Sequence, residues 1–425
     1  MAEEKKNIIA VIGGGAGGMT AAIFASLDGH SRVVIFEAKD APGKKIKGTG
    51  NGKCNFTNDN MDLKFYRGED PKFAADALKR FDNEAAKLFF KKMGIRPKEK
   101  NGGYIYPNSE EASSVSAALR LTAEERDVKF IFEKVREVKK AGNGFVVNDR
   151  RFDKVILACG SFANMKDRNE FNGYVLAKGL GHRITPLYPA LCQIRCAEKF
   201  FKTINGVRTE ASLKVLEDDQ EMAFEKGELL FTDYGVSGIP AFQLSRFCAE
   251  AKAKGKKVTL KINFLPDTDI SEVKREVDTR LTERAGKGRN IEESMYGLLN
   301  HKLNFVLLNL SGMDPTGKIS GIDEKKKEKL IKNLTDLTLE VTGTNDFSFA
   351  QVVAGGVDTR EIDEETMGSL KCPGLYFAGE IMDIDGTCGG YNLQWAWSSG
   401  AIAGLAASGN DVPEDFITFI NGRFE

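Results

Sequence analysis

The segment that most constrains this chain is Gly13-Gly14-Gly15-Ala16-Gly17-Gly18, which sets glycines at 13, 15 and 18 in GxGxxG spacing. Before it, residues 7–12 (NIIAVI) form a short apolar run, as in a parallel strand covered on both faces. After it, residues 16–29 follow a helical pattern closing on Gly29, and a second β run over 32–36 ends at Glu37. Strand, glycine turn, helix, strand and acid in that order predict a βαβ dinucleotide-binding unit. In such a unit Gly13 permits the tight turn, Gly15 admits a pyrophosphate against the backbone, and Gly18 lets helix and strand pack closely. The helix beginning at Ala16 turns unpaired N–H groups and a positive dipole end toward phosphates. Glu37, nineteen residues after Gly18, stands where a carboxylate accepts ribose hydroxyls. A glycine-rich turn in an unrelated α/β protein is the plainer alternative.

At 425 residues the chain is long for one domain, so two domains, or one with a large insertion, are expected. Lys plus Arg and Asp plus Glu total 61 each, which leaves no net field to attract nucleic acid or an anionic membrane. No apolar run approaches the ~18 residues of a membrane span, and a strand beginning near residue 7 leaves no room for a signal peptide. Seven irregularly spaced cysteines do not form a disulfide framework, and Cys192 and Cys196 lack the CxxC spacing. Three scattered histidines make no metal cluster. The expectation is a cytoplasmic protein with a small-molecule substrate and no metal, nucleic-acid or membrane partner; oligomeric state is left open.

Residues 41–60 are rich in Gly, Lys, Asn and Thr and read as a long loop. Helical patterns cover 72–92 and 113–125, and β runs cover 129–133, 144–148 and 153–160. From about residue 188 the texture changes: 190–264 is β-like with one helix near 239–254, and 270–342 reads as amphipathic helix. From residue 347 the earlier style returns. This gives a split dinucleotide-binding domain, 1–189 and 346–425, interrupted by a β-rich insertion, 190–268, and a helical one, 269–345.

The C-terminal part separates FAD from NAD. Residues 374–380 (GLYFAGE) are an apolar strand ending in Gly379 and Glu380, suited to a carboxylate on a ribityl chain, which NAD lacks. Residues 385–392 (DGTCGGYN), from Asp385 to Asn392, run into a helix whose N-terminus would favour negative charge on a reduced flavin ring. Residues 153–160 (DKVILACG) are similar to the Ala-Thr-Gly strand of many flavoproteins, with Cys159 in the threonine place; this sets Ala158 and Gly160 beside the cofactor. A buried strand capped by glycine explains that segment equally well.

Four signatures then coincide: residues 43–55 (GKKIKGTGNGKCN), 232–238 (TDYGVSG), 354–357 (AGGV) and 374–400 (GLYFAGEIMDIDGTCGGYNLQWAWSSG). Together they resemble the BaiN/aminoacetone oxidase (YhiN-like) family of FAD-binding oxidoreductases, over the whole chain. The resemblance implies an α/β fold: a split Rossmann-like FAD domain with an inserted β-barrel-like subdomain and a helical one. It implies that Lys45, Gly50, Asn51, Gly52 and Asn55 line the pyrophosphate and ribityl side, that Gly355 and Gly356 approach the flavin, and that Gly389, Gly390, Asn392, Leu393 and Gln394 hold its pyrimidine end. Tyr104 departs from the family pattern, where a variable and sometimes basic residue is expected.

Tyr391 and Cys388, in the loop nearest the expected ring, are the candidate catalytic groups; ring packing and a small spacer are their plainer roles. Asp233 and Ser237 face either a substrate or only a turn. Trp395, Trp397 and His301 read as structural. The resemblance implies FAD-dependent reduction of a conjugated C=C bond in a small, steroid-like substrate, with NAD(P)H as a transient donor. The alternatives are an oxygen-using amine or amino-ketone oxidase and a non-catalytic flavin-binding protein.

Overall fold

Strand β1 (Asn7–Ile12) lies at the centre of a five-stranded parallel sheet in the order β5-β4-β1-β2-β3. Its neighbours are β2 (Ser31–Phe36), β3 (Lys129–Ile131), β4 (Lys154–Leu157) and β5 (Leu375–Phe377). Ile12 pairs with Phe36 and Leu157, and Leu157 with Phe377. Gly13, Glu37, Ala158 and Ala378 therefore leave the sheet side by side at its carboxyl edge, where open α/β sheets bind ligands.

The computed structural model describes residues 7–27, 29–100, 102–283, 288–319 and 322–424. The chain divides into two units, Met1–Leu187 with Val352–Glu425, and Tyr188–Gln351. In the first, helix α1 (Ala16–Ala25) follows β1, helix α2 (Gly173–Gly179) follows β4, and helix α3 (Tyr391–Ser408) returns from the C-terminal segment. Helix α3 is buried along almost its whole length and lies directly on α1. That closeness needs glycine: a β-carbon on Gly404 would stand 2.2 Å from the Ala21 carbonyl oxygen. Among the described residues no helix is long and apolar enough to cross a membrane.

The second unit holds a closed six-stranded barrel, with strands Ile194–Cys196, Arg208–Glu217, Gln220–Thr232, Gly235–Ser237, Val258–Asn263 and Leu337–Thr344. Phe201, Phe231 and Phe264 share one core with Val273, Val277 and Leu281 of the helix Ile270–Thr282. The β-rich and helical stretches of this unit are thus joined by a single core.

Local readings changed in four places. Helix α1 stops at Ala25, short of Gly29. The predicted loop 41–60 contains the helix Lys44–Gly48 and a tight turn over Thr49–Gly52, in which Gly50 and Asn51 take positive φ. The predicted helix over 72–92 is two, Ala74–Arg80 and Asn83–Lys92, because the Asp82 carboxylate accepts from Ala85 N at 2.8 Å and starts the second. Finally, Leu337–Thr344 is a barrel strand and not helix, its residues alternating buried and exposed with the period of two that its sequence carries.

His182 sits inside the first unit, with Nε2 2.7 Å from Ser369 Oγ and Nδ1 3.2 Å from Glu361 Oε2, the latter without the alignment of a hydrogen bond. Burial lowers its pKa below the ordinary 6.5, outweighing the opposite pull of Glu361. The unfolded chain therefore takes up this proton first, and the stability held above pH 6.5 falls as the pH drops below it. Replacing His182 by Gln is expected to flatten the pH dependence of urea unfolding between about pH 7 and 5; an unchanged slope would refute this.

Candidate active site

The glycines at the β1–α1 turn divide into two kinds. A β-carbon on Gly13, whose φ is +108°, would stand 2.4 Å from the Ala158 carbonyl oxygen, and one on Gly18 would stand 1.9 Å from that of Gly13. Gly15 is different: nothing lies within 4 Å of where its β-carbon would be. It is also the N-cap of α1 and offers no capping side chain, which leaves the helix N–H groups beginning at Ala16 to an external partner. Glu37 Oε2 accepts from Gly14 N and Oε1 from Lys39 N, both at 2.9 Å, so each oxygen retains an acceptor site.

The ends of β4 and β5 meet around Glu380. Its Oε1 accepts from Ser161 Oγ at 2.7 Å and from Val353 N at 3.3 Å, and its Oε2 lies 2.5 Å from Lys45 Nζ. Ala158 is buried, Gly160 has φ of +67°, and Gly379 has φ of +75°. Cys159 bonds the Ile12 carbonyl, and burial pushes its thiol up to about 12, so it is no thiolate nucleophile. Gly52 completes the positive-φ turn begun by Gly50 and Asn51. Asn55 follows it, its Oδ1 buried with no partner among the described residues.

The third part is the loop that feeds α3. Gly389 and Gly390 take φ of +125° and +95°. Asn58 Nδ2 donates to the Gly389 carbonyl at 2.9 Å, and the Asn392 amide closes the loop on Gly386 N and O, each at 2.8 Å. Asp385 is buried and pairs with Arg67 across a short antiparallel ladder. Thr387 Oγ1 is buried without a partner among the described residues. No side chain caps the N-terminus of α3, where Leu393 is half-buried.

Four sequence candidates, Gln394, Gly355, Gly356 and Tyr391, turn out to be held internally. Gln394 is fully buried: its Oε1 accepts from Thr57 Oγ1 at 2.6 Å, and its Nε2 donates to Phe81 O at 2.9 Å and Ser398 Oγ at 3.0 Å. Gly355 packs on Pro186, and the Gly356 N–H bonds Thr185 Oγ1 at 3.0 Å. Tyr391 stacks on Phe65 with ring centres 4.6 Å apart and donates its hydroxyl to Asn60 O at 3.0 Å. Its phenol is pushed up to about 12, chiefly by burial.

Tyr104 and Tyr391 both border the α-carbon of Gly389, whose β-carbon would be 3.0 Å from the Tyr104 ring and 3.1 Å from that of Tyr391. Tyr104 is half-buried, and burial together with the nearby half-buried Cys388 raises its phenol above the ordinary range. Ser161, Asn58 and Thr387 were not singled out by their sequence, and Tyr104 stood out only as a departure from the family pattern. Ser161 alone had a usable signal, since it directly follows the Ala158-Cys159-Gly160 strand end.

Elsewhere, Asp233 is exposed in the barrel turn before Gly235 and Ser237 is buried in the strand after it; His301 is exposed at a helix start. Trp395 and Trp397 are core residues. Among the described residues no group of three or more metal-binding side chains occurs.

Two uncapped helix N-termini, an open face at Gly15, a carboxylate at Glu37 and the unpartnered Asn55 Oδ1 and Thr387 Oγ1 all fit one elongated, phosphate-bearing ligand with a polar ring. The HI0933-like protein Rossmann domain matches residues 7–406. The chain is 41% identical to a 3-dehydro-bile acid delta(4,6)-reductase of Clostridium scindens, over 95% of this chain and 99% of that protein. It is 30% identical to a ribosomal RNA dihydrouridine synthase of Escherichia coli, over 92% and 95% of the two chains, and 27% identical to one of Haemophilus influenzae, over 96% and 100%.

Proposed function

The chain belongs to the HI0933-like Rossmann family and is an oxidoreductase, and we propose that it reduces a carbon–carbon double bond conjugated to a carbonyl, with FAD held at the carboxyl edge of the sheet. The observation that carries this reading is the end-to-end likeness to a reductase of such a bond. The cradle supports the cofactor half. Gly13, Gly15, Ala16 and Gly18 would hold the pyrophosphate, Glu37 the adenosine ribose, and Lys45, Gly50, Asn51, Gly52, Asn55, Ala158, Gly160, Gly379 and Glu380 the ribityl side. The backbone of Gly389, Gly390, Asn392 and Leu393 would face the ring, with Asp385 behind it. Gln394, Gly355 and Gly356 would shape this face through packing. Bound FAD supplies a carrier that passes two electrons as hydride, and NAD(P)H is the proposed source of those electrons.

The protein must supply the proton for the carbon next to the carbonyl. We assign that task to Tyr104 Oη, which has no hydrogen-bond partner among the described residues and stays protonated at neutral pH. Tyr391 is less suited, because its proton is already directed at Asn60 O. Cys388, beside Tyr104, is the remaining candidate. Replacing Tyr104 by Phe is expected to slow substrate reduction by about 10²–10⁴-fold, the usual worth of a general acid. Tyr391→Phe should change it far less. Equal losses in the two variants, measured in single turnover with flavin content unchanged, would remove Tyr104 from this role.

The substrate is a small enone, with a 3-keto steroid as the first choice because of the 41% relative. A second reading follows from the synthases: the C5–C6 bond of uridine is also conjugated to a carbonyl, so the same chemistry would serve a uridine of ribosomal RNA. The deciding experiment reduces the purified protein anaerobically with dithionite and mixes it with a steroid enone series or with ribosomal RNA lacking dihydrouridine. Reoxidation by an enone supports the first reading, and new dihydrouridine detected by mass spectrometry supports the second. If neither reoxidises it while amines reduce the oxidised protein, the amine oxidase alternative takes their place.

A further inference from the structure

We propose that the aromatic pocket between the end of β4 and helix α2 is the docking site of the electron donor, a reduced nicotinamide dinucleotide. The inference rests on the reductase reading above. A reduction draws two electrons from outside the protein, yet the sequence holds no second glycine fingerprint of the GxGxxG type. A donor must then bind to a surface other than a second Rossmann unit.

The pocket is an open cleft of about 490 Å³, within the range of small-ligand sites. Its inner wall is a triad of rings: Phe162 to Phe171 at 5.8 Å, Phe162 to Tyr174 at 5.7 Å, and Phe171 to Tyr174 at 5.0 Å, all near perpendicular. Flat heterocycles stack on walls of this kind. Lys166 and Arg168 line the pocket at exposed positions, the Arg168 guanidinium 5.9 Å from the centre of the Phe162 ring, and both are cations matched to a pyrophosphate. Asp167, between them, turns its carboxylate to the Asn169 N–H at 2.9 Å, so it caps a turn and does not confront an incoming anion. Val175, 66% exposed beside the mouth, offers apolar surface for a bound ring to cover.

The pocket backs directly onto the cofactor cradle. Phe162 follows Ser161, whose hydroxyl holds Glu380 at 2.7 Å. Gly173 brings the rings against the end of β4: a β-carbon there would lie 2.6 Å from the Phe171 ring and 2.8 Å from Cys159 Cβ. The Tyr174 hydroxyl is buried with no partner among the described residues. Burial, and after it the charges of Glu380 and Asp383, keep that phenol well above its ordinary range. The reaction balances without another reagent. NAD(P)H, one proton and one C=C bond give NAD(P)⁺ and a saturated bond; the hydride originates at C4 of the dihydronicotinamide, and the proton comes from Tyr104 Oη.

The test uses the flavin-loaded protein and two readouts. Calorimetry with NADP⁺ and NAD⁺ measures docking, and stopped-flow bleaching of the flavin by NADPH and NADH measures electron delivery. Lys166→Ala and Arg168→Ala, both at exposed positions, are each expected to weaken docking and slow bleaching by about ten- to hundredfold. Phe171→Leu should do so less steeply. Dithionite-reduced variants should pass electrons to the acceptor as fast as the unmodified protein. Variants that dock the dinucleotide and bleach at the original rate would overturn the proposal, as would an unmodified protein that binds neither dinucleotide. Failure of the underlying reading looks different: a dithionite-reduced protein that no enone or uridine reoxidises.

Discussion

Gly15→Val is expected to leave the folded protein intact but weaken its hold on flavin, whereas Gly18→Ala should damage the fold itself. The two residues are three positions apart in one motif, yet their surroundings are opposite. A side chain at 15 enters open space, and the backbone there, at φ −87° and ψ −162°, suits any residue. Valine would instead occupy the open space in which we propose the pyrophosphate binds. Overfilling a close contact costs about 1–3 kcal/mol, or roughly ten- to hundredfold in affinity. At 18 the new methyl would lie 1.9 Å from a backbone oxygen, which cannot move without shifting the β1–α1 turn. That cost, about 1–3 kcal/mol or more, falls on stability. Urea unfolding of flavin-free samples, compared with flavin content after purification, separates the two. Both variants losing the same stability would overturn the assignment of Gly15 to the ligand.

Trp397→Ala carries the largest expected stability loss, about 3–5 kcal/mol. The indole is fully buried, packs edge-on against Phe90 with ring centres 5.0 Å apart, and donates Nε1–H to the Phe56 carbonyl at 2.8 Å. Truncation leaves a cavity and an unpaired carbonyl together. Its consequences should reach the site, because residues 54–58, which carry Asn55 and Asn58, are fastened to α3 by this bond and by Thr57 to Gln394. A weakened flavin complex should accompany the lowered urea midpoint. A loss below about 1 kcal/mol would mean the neighbouring rings collapse into the space.

The sequence made some features legible because they are local. The apolar run of β1, the helical period of α1 and the glycine spacing are properties of consecutive residues, and the βαβ unit followed from them. The alternation in residues 337–344 is equally local, but it ends the stretch from residue 270 whose sequence carries the helical period. Its true neighbours, Ile194–Cys196 and Val258–Asn263, are remote in the chain, and the barrel closes only when all three meet.

The site divides in the same way. The sequence by itself determined the backbone turn at which we propose a dinucleotide sits, since glycines at 13, 15 and 18 between a strand and a helix fix that turn locally. Only the tertiary structure decided which polar atoms remain for a ligand. Gln394 looked available until Thr57, 337 residues away, took its carbonyl, and Tyr391 until Asn60 took its proton. Tyr104 gained its place because folding set it against Gly389. Backbone conformation is fixed by neighbours along the chain, but hydrogen-bond capacity is shared out in space, among partners no local pattern can name.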